Sequence, residues 1–341
     1  MDGSAAIVMG ATTAAPLPAD APLSPTSPTT TATAAAALLH LAVPRLRALL
    51  THSLQKPTLL SAHDHITTTP PLQDFLLAAW LALLLLALRA AAERALLPPL
   101  TRCLARATNR AKPSSPSSSA AAFAVLDSAW IAVFAVALTG MAWWVVLTDN
   151  GGCTPWSTAA CFAGWPHHPV APCQRWYMVL AFSYYLYELL GLAVGVGTRL
   201  KADMVAHHFA TMALIVIAYP TTLERMSVMW QALFDLSNPI LHSAKALHAS
   251  GLKQLEGVKW ALFNLFALTF LLCRVIGGPI SILWPSFTIA KEVLPASYCH
   301  VCWGLEIFVY VLQLVWFYKI VEIATKGDKA VPAKVVPCKE E

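Results

Sequence analysis

Long, nearly uninterrupted runs of apolar residues dominate the chain from Phe75 onward. Several approach the roughly 20 residues that a helix needs to cross about 30 Å of hydrocarbon. They lack the alternation of polar and apolar positions that membrane β-strands show. The pattern predicts an all-α polytopic membrane protein with about seven transmembrane helices. Their approximate bounds are 75–97, 123–147, 176–197, 203–219, 226–247, 258–284 and 299–323.

The composition supports the membrane assignment. Hydrophobic residues make up 57% of the chain and charged residues only 12%, with a mean hydropathy of +0.60. This is more apolar surface than a soluble fold can hide, so lipid must be the main solvent. The formal net charge of +5 is modest, and the basic residues cluster at the ends of the apolar runs. That pattern favours contact with lipid headgroups and argues against a nucleic-acid partner.

The segments outside the apolar runs differ in composition. Residues 1–70 are rich in Ala, Thr, Ser and Pro and are predicted to be disordered, with a candidate interfacial helix at 34–50. Because no Lys or Arg precedes Arg45, neither a signal peptide nor a transit peptide is expected. Residues 71–122 hold the first span and a basic linker, and residues 326–341 form a tail.

The loop charges predict the orientation. Basic residues follow the first, third and fifth spans and recur in the tail, which places these regions in the cytosol. The loop 148–174 contains no Lys or Arg and holds Cys153, Cys161 and Cys173. An oxidising lumen would allow at most one disulfide among these three cysteines, and the sequence leaves the pairing open.

The fourth and fifth spans carry the densest group of polar residues. His207 and His208 lie about one turn inside the fourth span. In the fifth span, polar residues at spacings of 3, 4 and 3 share one face of a helix. They are Asp235, Asn238, His242 and Lys245. Polar groups within a span are costly, so this face should point into the bundle and is a candidate functional site.

The residue types point to proton transfer. Imidazole is the side chain best suited to exchange protons near neutral pH, and a carboxylate on its far nitrogen fixes the tautomer. Adjacent histidines point about 100° apart on a helix, so at most one of them faces Asp235 directly. We expect either His207 or His208 to act and the other to orient or pack.

Two other roles stay open for the same residues. They could only form hydrogen bonds between helices, as polar residues in membrane bundles often do. Two histidines and a carboxylate could also bind zinc or iron, but the chain has one histidine pair rather than several separated histidine boxes, so no metal is expected. Glu188, Arg274 and Glu306 are further polar groups within spans, whereas His167 and His168 should only shape a loop.

From about Trp130 to Lys319 the sequence resembles the TLC domain, a family that includes ceramide synthases, translocation-associated membrane proteins and lipid-homeostasis proteins. The strongest similarity is to the family's Lag motif, which the following residues match: Arg199, Lys201, Asp203, His207, His208, Thr211, Asp235, Asn238 and Lys245. The resemblance implies that residues 123–325 form a six-helix bundle around a lipid cavity. It also implies an endoplasmic reticulum or related endomembrane location and a cytosolic C-terminus.

The ceramide-synthase branch of the family implies a reaction, the transfer of an acyl chain from coenzyme A to the amine of a sphingoid base. By resemblance, His207, His208 and Asp235 are catalytic. The implied substrate-binding residues are Asn238, His242, Lys245, Arg199, Lys201 and Arg274. Acyl-CoA is then a co-substrate, and no bound cofactor is expected. The partners are membrane lipids, and the oligomeric state stays open, a homo-oligomer included.

The sequence departs from the synthase pattern at the fifth span. Phe234 precedes Asp235 where synthases have histidine, and Asn238 stands where they have a second aspartate. Asparagine can form hydrogen bonds but cannot carry a charge. The proline that follows, Pro239, makes this stretch similar to the corresponding stretch of the non-synthase members. A non-catalytic lipid-binding or lipid-homeostasis role is therefore the competing hypothesis. A role in protein translocation would rest on the fold alone.

Overall fold

A computed structural model of the chain describes residues 72–108 and 116–326, together with Pro44. The described part is helical and contains no β-strand beyond one isolated bridge. Its long helices, numbered in chain order, are α1 (Leu72–Ala107), α2 (Pro116–Thr148), α3 (Pro172–Val194), α4 (Ala202–Ala218), α5 (Glu224–Asp235), α6 (Asn238–Ser250), α7 (Glu256–Phe270, continuing as mixed π- and α-helix to Lys291–Val293) and α8 (Ala296–Lys326). The predictions for residues 1–70, Pro44 apart, and for the tail after Lys326 lie outside the described residues.

The prediction of an all-α polytopic membrane protein is confirmed. Within the described ranges, α1, α2, α3, α7 and α8 are each long and apolar enough to cross a membrane. Helix α4 is apolar but only 17 residues long. It occupies the place of the fourth predicted span, and α5 with α6 occupies that of the fifth.

The fifth predicted span is not one helix, and a proline explains why. Helix α5 ends at Asp235 and α6 begins at Asn238. Pro239 has no N–H to donate to the carbonyl of Asp235, four residues earlier. That carbonyl instead accepts a hydrogen bond from Thr139 Oγ1 of α2, at 3.1 Å. The break therefore leaves a carbonyl that a neighbouring helix satisfies.

Helix α7 is distorted in the same way. Its segment Leu271–Ile276 is a π-helix and precedes Pro279. The carbonyl of Val275, which Pro279 cannot bind, accepts a hydrogen bond from Tyr310 of α8 at 3.1 Å. Because π-helical turns shift the register of the side chains, this segment can aim Arg274 into the bundle.

The first helix extends beyond its predicted end. The first span was predicted to end near residue 97, but α1 continues through Pro98 and Pro99 to Ala107. Each proline lacks the backbone N–H and so removes one hydrogen bond of the helix, but its φ is compatible with the helix. The carbonyls freed in this way belong to Arg94 and Ala95, which are exposed, so solvent or headgroups can satisfy them.

The helices pack as one bundle in which α2 runs along α6, α1 contacts α2 and α3, and α8 contacts α4 and α7. At one end, which we call the disulfide end, the loop between α2 and α3 contains the disulfide Cys153–Cys161. The opposite end is called the basic end, because the α3–α4 turn there carries Arg199 and Lys201.

The disulfide end is fixed by polar contacts between helices. Arg175 of α3 donates to Asp74 of α1 at 2.8 Å, and the hydroxyl of Tyr219 also donates to Asp74. His168 Nε2 lies 2.8 Å from the carbonyl of Thr222, so this histidine shapes the loop as expected. These contacts tie the α2–α3 loop and α1 to the turn between α4 and α5.

The pairing of the loop cysteines gives a prediction. Digestion of the unreduced protein should yield a linked peptide pair containing Cys153 and Cys161, with Cys173 as a free thiol. Replacing Cys161 by serine should destabilise the protein by about 2–3 kcal/mol, since the bridge closes a short loop. The matched variant Cys173→Ser should have almost no effect on thermal stability in detergent. A linked peptide that contains Cys173 would contradict the pairing.

Candidate functional site

A central cavity of about 760 Å³ lies within the bundle, between α2, α3, α4, α6, α7 and α8. All nine residues that the sequence singled out as site residues line it: Arg199, Lys201, His207, His208, Asp235, Asn238, His242, Lys245 and Arg274. The structure therefore brings these nine candidates together around one cavity. Their individual roles remain predictions.

The part of the central cavity at the basic end is here called its mouth. Besides Arg199 and Lys201, it is lined by Lys259 of α7 and Lys319 of α8. Two of these four cations are paired: Asp203 accepts hydrogen bonds from Trp316 at 2.9 Å and from Lys319 at 3.4 Å, and Glu256 pairs with Lys259 at 2.6 Å. The mouth thus presents an excess of positive charge, which suits a ligand with several negative charges.

A buried ionic cluster holds the turn that carries Arg199 and Lys201. Arg89 of α1 pairs with Glu93 and with Asp127 of α2, each at 2.8 Å. Asp127 also accepts from the hydroxyl of Thr198 at 2.8 Å, and Glu93 accepts from the backbone of Gly197 at 2.9 Å. This cluster was not predicted from the sequence, although Arg89 inside the first predicted span was a signal for it.

The two histidines have different surroundings. His208 is almost fully enclosed and packs against the ring of Tyr185, with 5.2 Å between the centroids. His207 is half-buried and contacts Trp316, with 5.3 Å between ring centroids. No described residue forms a hydrogen bond with the Nδ1 atom of either ring. His207 also lines a second, smaller pocket, so it is the better placed of the two to meet a ligand.

That second pocket, the inner pocket, has a volume of about 40 Å³ and lies between α4, α5 and α8. It shares Tyr185, His207, Asp235 and Arg274 with the central cavity. Gln231 also contacts both spaces, and its buried Oε1 has no partner among the described residues. His207 therefore stands where the two spaces meet.

The carboxylate next to a histidine is not the expected one. Glu188 Oε2 of α3 lies 3.4 Å from His208 Nε2. Asp235, which the sequence analysis paired with a histidine, has no hydrogen bond or ion pair to either of them within the described residues, and its side chain contacts Asn238 instead. Glu188 comes close to His208 because α3 packs against α4. The carboxylate of Asp235 is instead hydrogen-bonded to Asn238, three residues later in the sequence.

Asp235, Asn238 and Arg274 form a connected network at the helix break. The Asn238 side chain donates to Asp235 Oδ1 at 2.9 Å and accepts from Arg274 Nη2 at 2.6 Å. Arg274 also donates to the carbonyl of Phe234 at 2.9 Å and to Gln313 Oε1 at 2.9 Å. Asn238 thus bridges an anion and a cation, a role that needs one donor and one acceptor.

This bridging role predicts the effect of restoring the acidic residue. In Asn238→Asp, a carboxylate oxygen would face Asp235 Oδ1 where an N–H now donates. We expect a loss of about 2 kcal/mol, or roughly 4–8 °C in melting temperature in detergent. The swap Asp235→Asn with Asn238→Asp keeps one charge and should recover most of the stability. If the single variant is as stable as the unmodified protein, the bridging role is wrong.

The remaining candidates lie away from the central cavity. Glu306 of α8 accepts a hydrogen bond from Ser286 at 3.0 Å, and His167 is exposed in the α2–α3 loop. Among the described residues, no three His, Cys, Asp or Glu side chains are grouped so that they could hold a metal ion.

Comparison with known proteins places this arrangement in a family. A family model described as the TLC domain matches residues 125–322, more than half of the chain. The chain is 27% identical to mouse ceramide synthase 4 over 169 residues, which are 49% of this chain and 42% of that protein. It is 28% identical to ceramide synthase LOH1 of Arabidopsis thaliana over 170 residues (48% and 54% of the two chains), and 35% identical to ASC1-like protein 3 of rice over 144 residues (41% and 49%).

The fold and the cavity define an integral, multi-pass membrane protein. With the family match, the chain belongs to the TLC domain family. The chain spans about half the length of the curated relatives it matches.

Proposed function

We propose that the protein transfers an acyl chain from acyl-CoA to the amine of a sphingoid base. The observation that carries the proposal is the position of His207 in the wall between the central cavity and the inner pocket. A volume of 760 Å³ lies within the range of about 300–1,000 Å³ that is typical of ligand cavities. Apolar walls suit long chains, and an imidazole suits the chemistry of an amine nucleophile.

In the proposed reaction, His207 acts as the general base. The neutral amine attacks the thioester carbonyl, so a C–N bond forms and the C–S bond breaks. The nitrogen loses one proton to the imidazole of His207, which then passes it to the leaving coenzyme A sulfur. A positioned base of this kind contributes about 10²- to 10⁴-fold to a rate.

The basic mouth supports coenzyme A as the acyl carrier. Arg199 and Lys201 line the mouth beside the ion-paired Lys259 and Lys319, and phosphate groups bind such clusters by charge-assisted hydrogen bonds. The thioester would then point inward, toward His207. The Arg89 cluster would keep the α3–α4 turn in place while the bulky nucleotide part of the carrier binds.

Cells keep acyl-CoA in the cytosol, so the basic end should be cytosolic and the disulfide end lumenal. This orientation agrees with the positive-inside rule and with an oxidised Cys153–Cys161 pair. We therefore propose an endoplasmic reticulum location with a cytosolic C-terminus. A tag on the C-terminus should be digested by protease added to sealed microsomes.

The test of the proposed function is ceramide formation from labelled acyl-CoA and sphinganine. Membranes should come from cells that lack their own ceramide synthases and express this protein. Product should form with at least one acyl length between about 14 and 26 carbons. If none forms with any of them, the transferase proposal is wrong.

One observation favours the second candidate, a lipid-binding protein without turnover. Asp235 is held by Asn238, which Arg274 holds in turn, so Asp235 does not orient a histidine. In that case lipid should copurify with the protein in the absence of product formation. Mass spectrometry of the extracted lipid would identify it.

A further inference from the structure

Glu188 is an acidic residue on the cavity wall that the proposed reaction does not yet use. It lies on α3, and its side chain is mostly buried. Tyr184 donates a hydrogen bond to Oε1 at 2.9 Å, and His208 lies 3.4 Å from Oε2. Within the described ranges, no Lys or Arg comes within 4 Å of this carboxylate.

The other acidic residues of the cavity are better compensated. Asp203 pairs with Lys319 at 3.4 Å. Asp235 accepts a hydrogen bond from Asn238, which binds the guanidinium of Arg274. Only Glu188, among the described acids that line the cavity, has no basic side chain in its immediate network other than a histidine. A carboxylate at membrane depth is costly unless it is neutralised, so a cationic ligand would stabilise it.

Aromatic rings surround the same carboxylate. Tyr184 and Tyr185 both line the central cavity, and the Tyr185 ring packs against His208. Aromatic faces attract ammonium groups through their negative quadrupole, and a carboxylate supplies the opposite charge. Tyrosine rings beside an uncompensated carboxylate are therefore the chemistry that recognises an alkylammonium.

We infer that Glu188 binds the ammonium group of the amine acceptor and removes its first proton, an inference that rests on the proposed function for the identity of the ligand. Oε2 contacts the ammonium in place of His208, while Tyr184 keeps Oε1 fixed. The acyl chain and the amine then meet within the cavity, next to the histidine pair.

The proton count of the reaction requires such a group. An acceptor enters as R–NH₃⁺, and the amide product retains one N–H. Of the two protons lost, one goes by way of His207 to the coenzyme A sulfur, giving the thiol. The other must leave before the nitrogen lone pair can attack. It is this proton that Glu188 accepts, becoming a neutral carboxylic acid that later releases it to the cytosol.

Charged side chains farther from Glu188 do not take the place of a cation in direct contact with its carboxylate. Asp127 and Lys245 act on Glu188 with opposite signs. Arg89 is already paired with Glu93 and Asp127. An ammonium at Glu188 would therefore be recognised by direct contact rather than by the general field of the cavity.

The first experiment compares two probes of equal length, octadecylamine and octadecanol, binding to the purified full-length protein in detergent. Quenching of tryptophan fluorescence gives the two Kd values. The unmodified protein should bind the amine at least about tenfold more tightly, and Glu188→Gln should reduce this ratio to about one. The matched variant Glu306→Gln, which changes a buried glutamate outside the cavity, should keep the ratio. An unchanged ratio in Glu188→Gln, or no preference in the unmodified protein, overturns the inference.

The second experiment needs no variant. A water-soluble carbodiimide joins a carboxylate to an amine that touches it, and mass spectrometry locates the new amide. Octadecylamine should attach to Glu188, and attachment only at Asp203 or Asp235 would overturn the inference. Neither experiment requires turnover. A protein that gives both expected results but makes no ceramide would disprove the proposed reaction while leaving the ammonium site in place.

Discussion

Replacing His207 by asparagine should reduce ceramide formation by about 10²- to 10⁴-fold, the contribution of a positioned base. Asparagine keeps a hydrogen-bonding group of similar size but cannot accept the proton of the amine. Because His207 is half-buried and no described residue binds its Nδ1, the protein should still fold. The rate of ceramide formation and the melting temperature in detergent are to be measured together.

Two histidine variants serve as controls. His208→Asn should lower the rate less than His207→Asn, because His208 is enclosed by Tyr185 and Glu188. His167→Asn changes an exposed loop residue and should leave both rate and melting temperature unaltered. If His208→Asn abolishes activity and His207→Asn does not, the roles of the two histidines are exchanged.

Arg274→Met should cause the largest loss of stability of any single change considered. The guanidinium of Arg274 donates hydrogen bonds to the carbonyl of Phe234 and to the side chains of Asn238 and Gln313. Its removal leaves these acceptors unpaired and Asp235 without a nearby cation. Removing one partner from a buried charged network costs about 3–5 kcal/mol, which corresponds to roughly 6–20 °C in melting temperature.

A second substitution can separate charge from hydrogen bonding. If the uncompensated charge of Asp235 causes most of the loss, Arg274→Met combined with Asp235→Asn should be more stable than Arg274→Met alone. Arg102→Met, an exposed arginine on α1, is the matched control and should change the melting temperature little. An Arg274→Met protein with a near-normal melting temperature would show that the network is unimportant for stability.

Five of the seven spans could be predicted from hydropathy as long apolar helices, because lipid leaves a spanning backbone no alternative to the helix. The site residues could be predicted because polar groups at membrane depth are rare and must face inward. Asp235, Asn238, His242 and Lys245 were predicted to share one helix face, but Asp235 ends α5 while the other three lie on α6, and all four line the central cavity. Even the break after Asp235 did not move them out of the cavity.

What the sequence did not reveal are contacts between helices. The approach of Glu188 to His208 depends on how α3 and α4 are rotated against each other, which no spacing along the chain records. The cluster of Arg89, Glu93 and Asp127 likewise joins two helices, and although Arg89 lies inside the first predicted span, its spacing along the chain does not identify its partner on the next helix. Helical spacing and the resemblance both pointed to Asp235 as the histidine's partner, but neither shows which carboxylate a neighbouring helix brings next to His208.

The break between α5 and α6 has a consequence for how the chain enters the membrane during synthesis. Neither half is long and apolar enough to insert as a spanning helix by itself, and the carbonyls exposed at the break need Thr139 and Arg274. Thr139 is synthesised before this segment, but Arg274 emerges from the ribosome only after it. Stable insertion of residues 224–250 must therefore wait for α7.

Chains truncated before Arg274 should leave this segment accessible to cytosolic modification, whereas chains that include α7 and α8 should protect it.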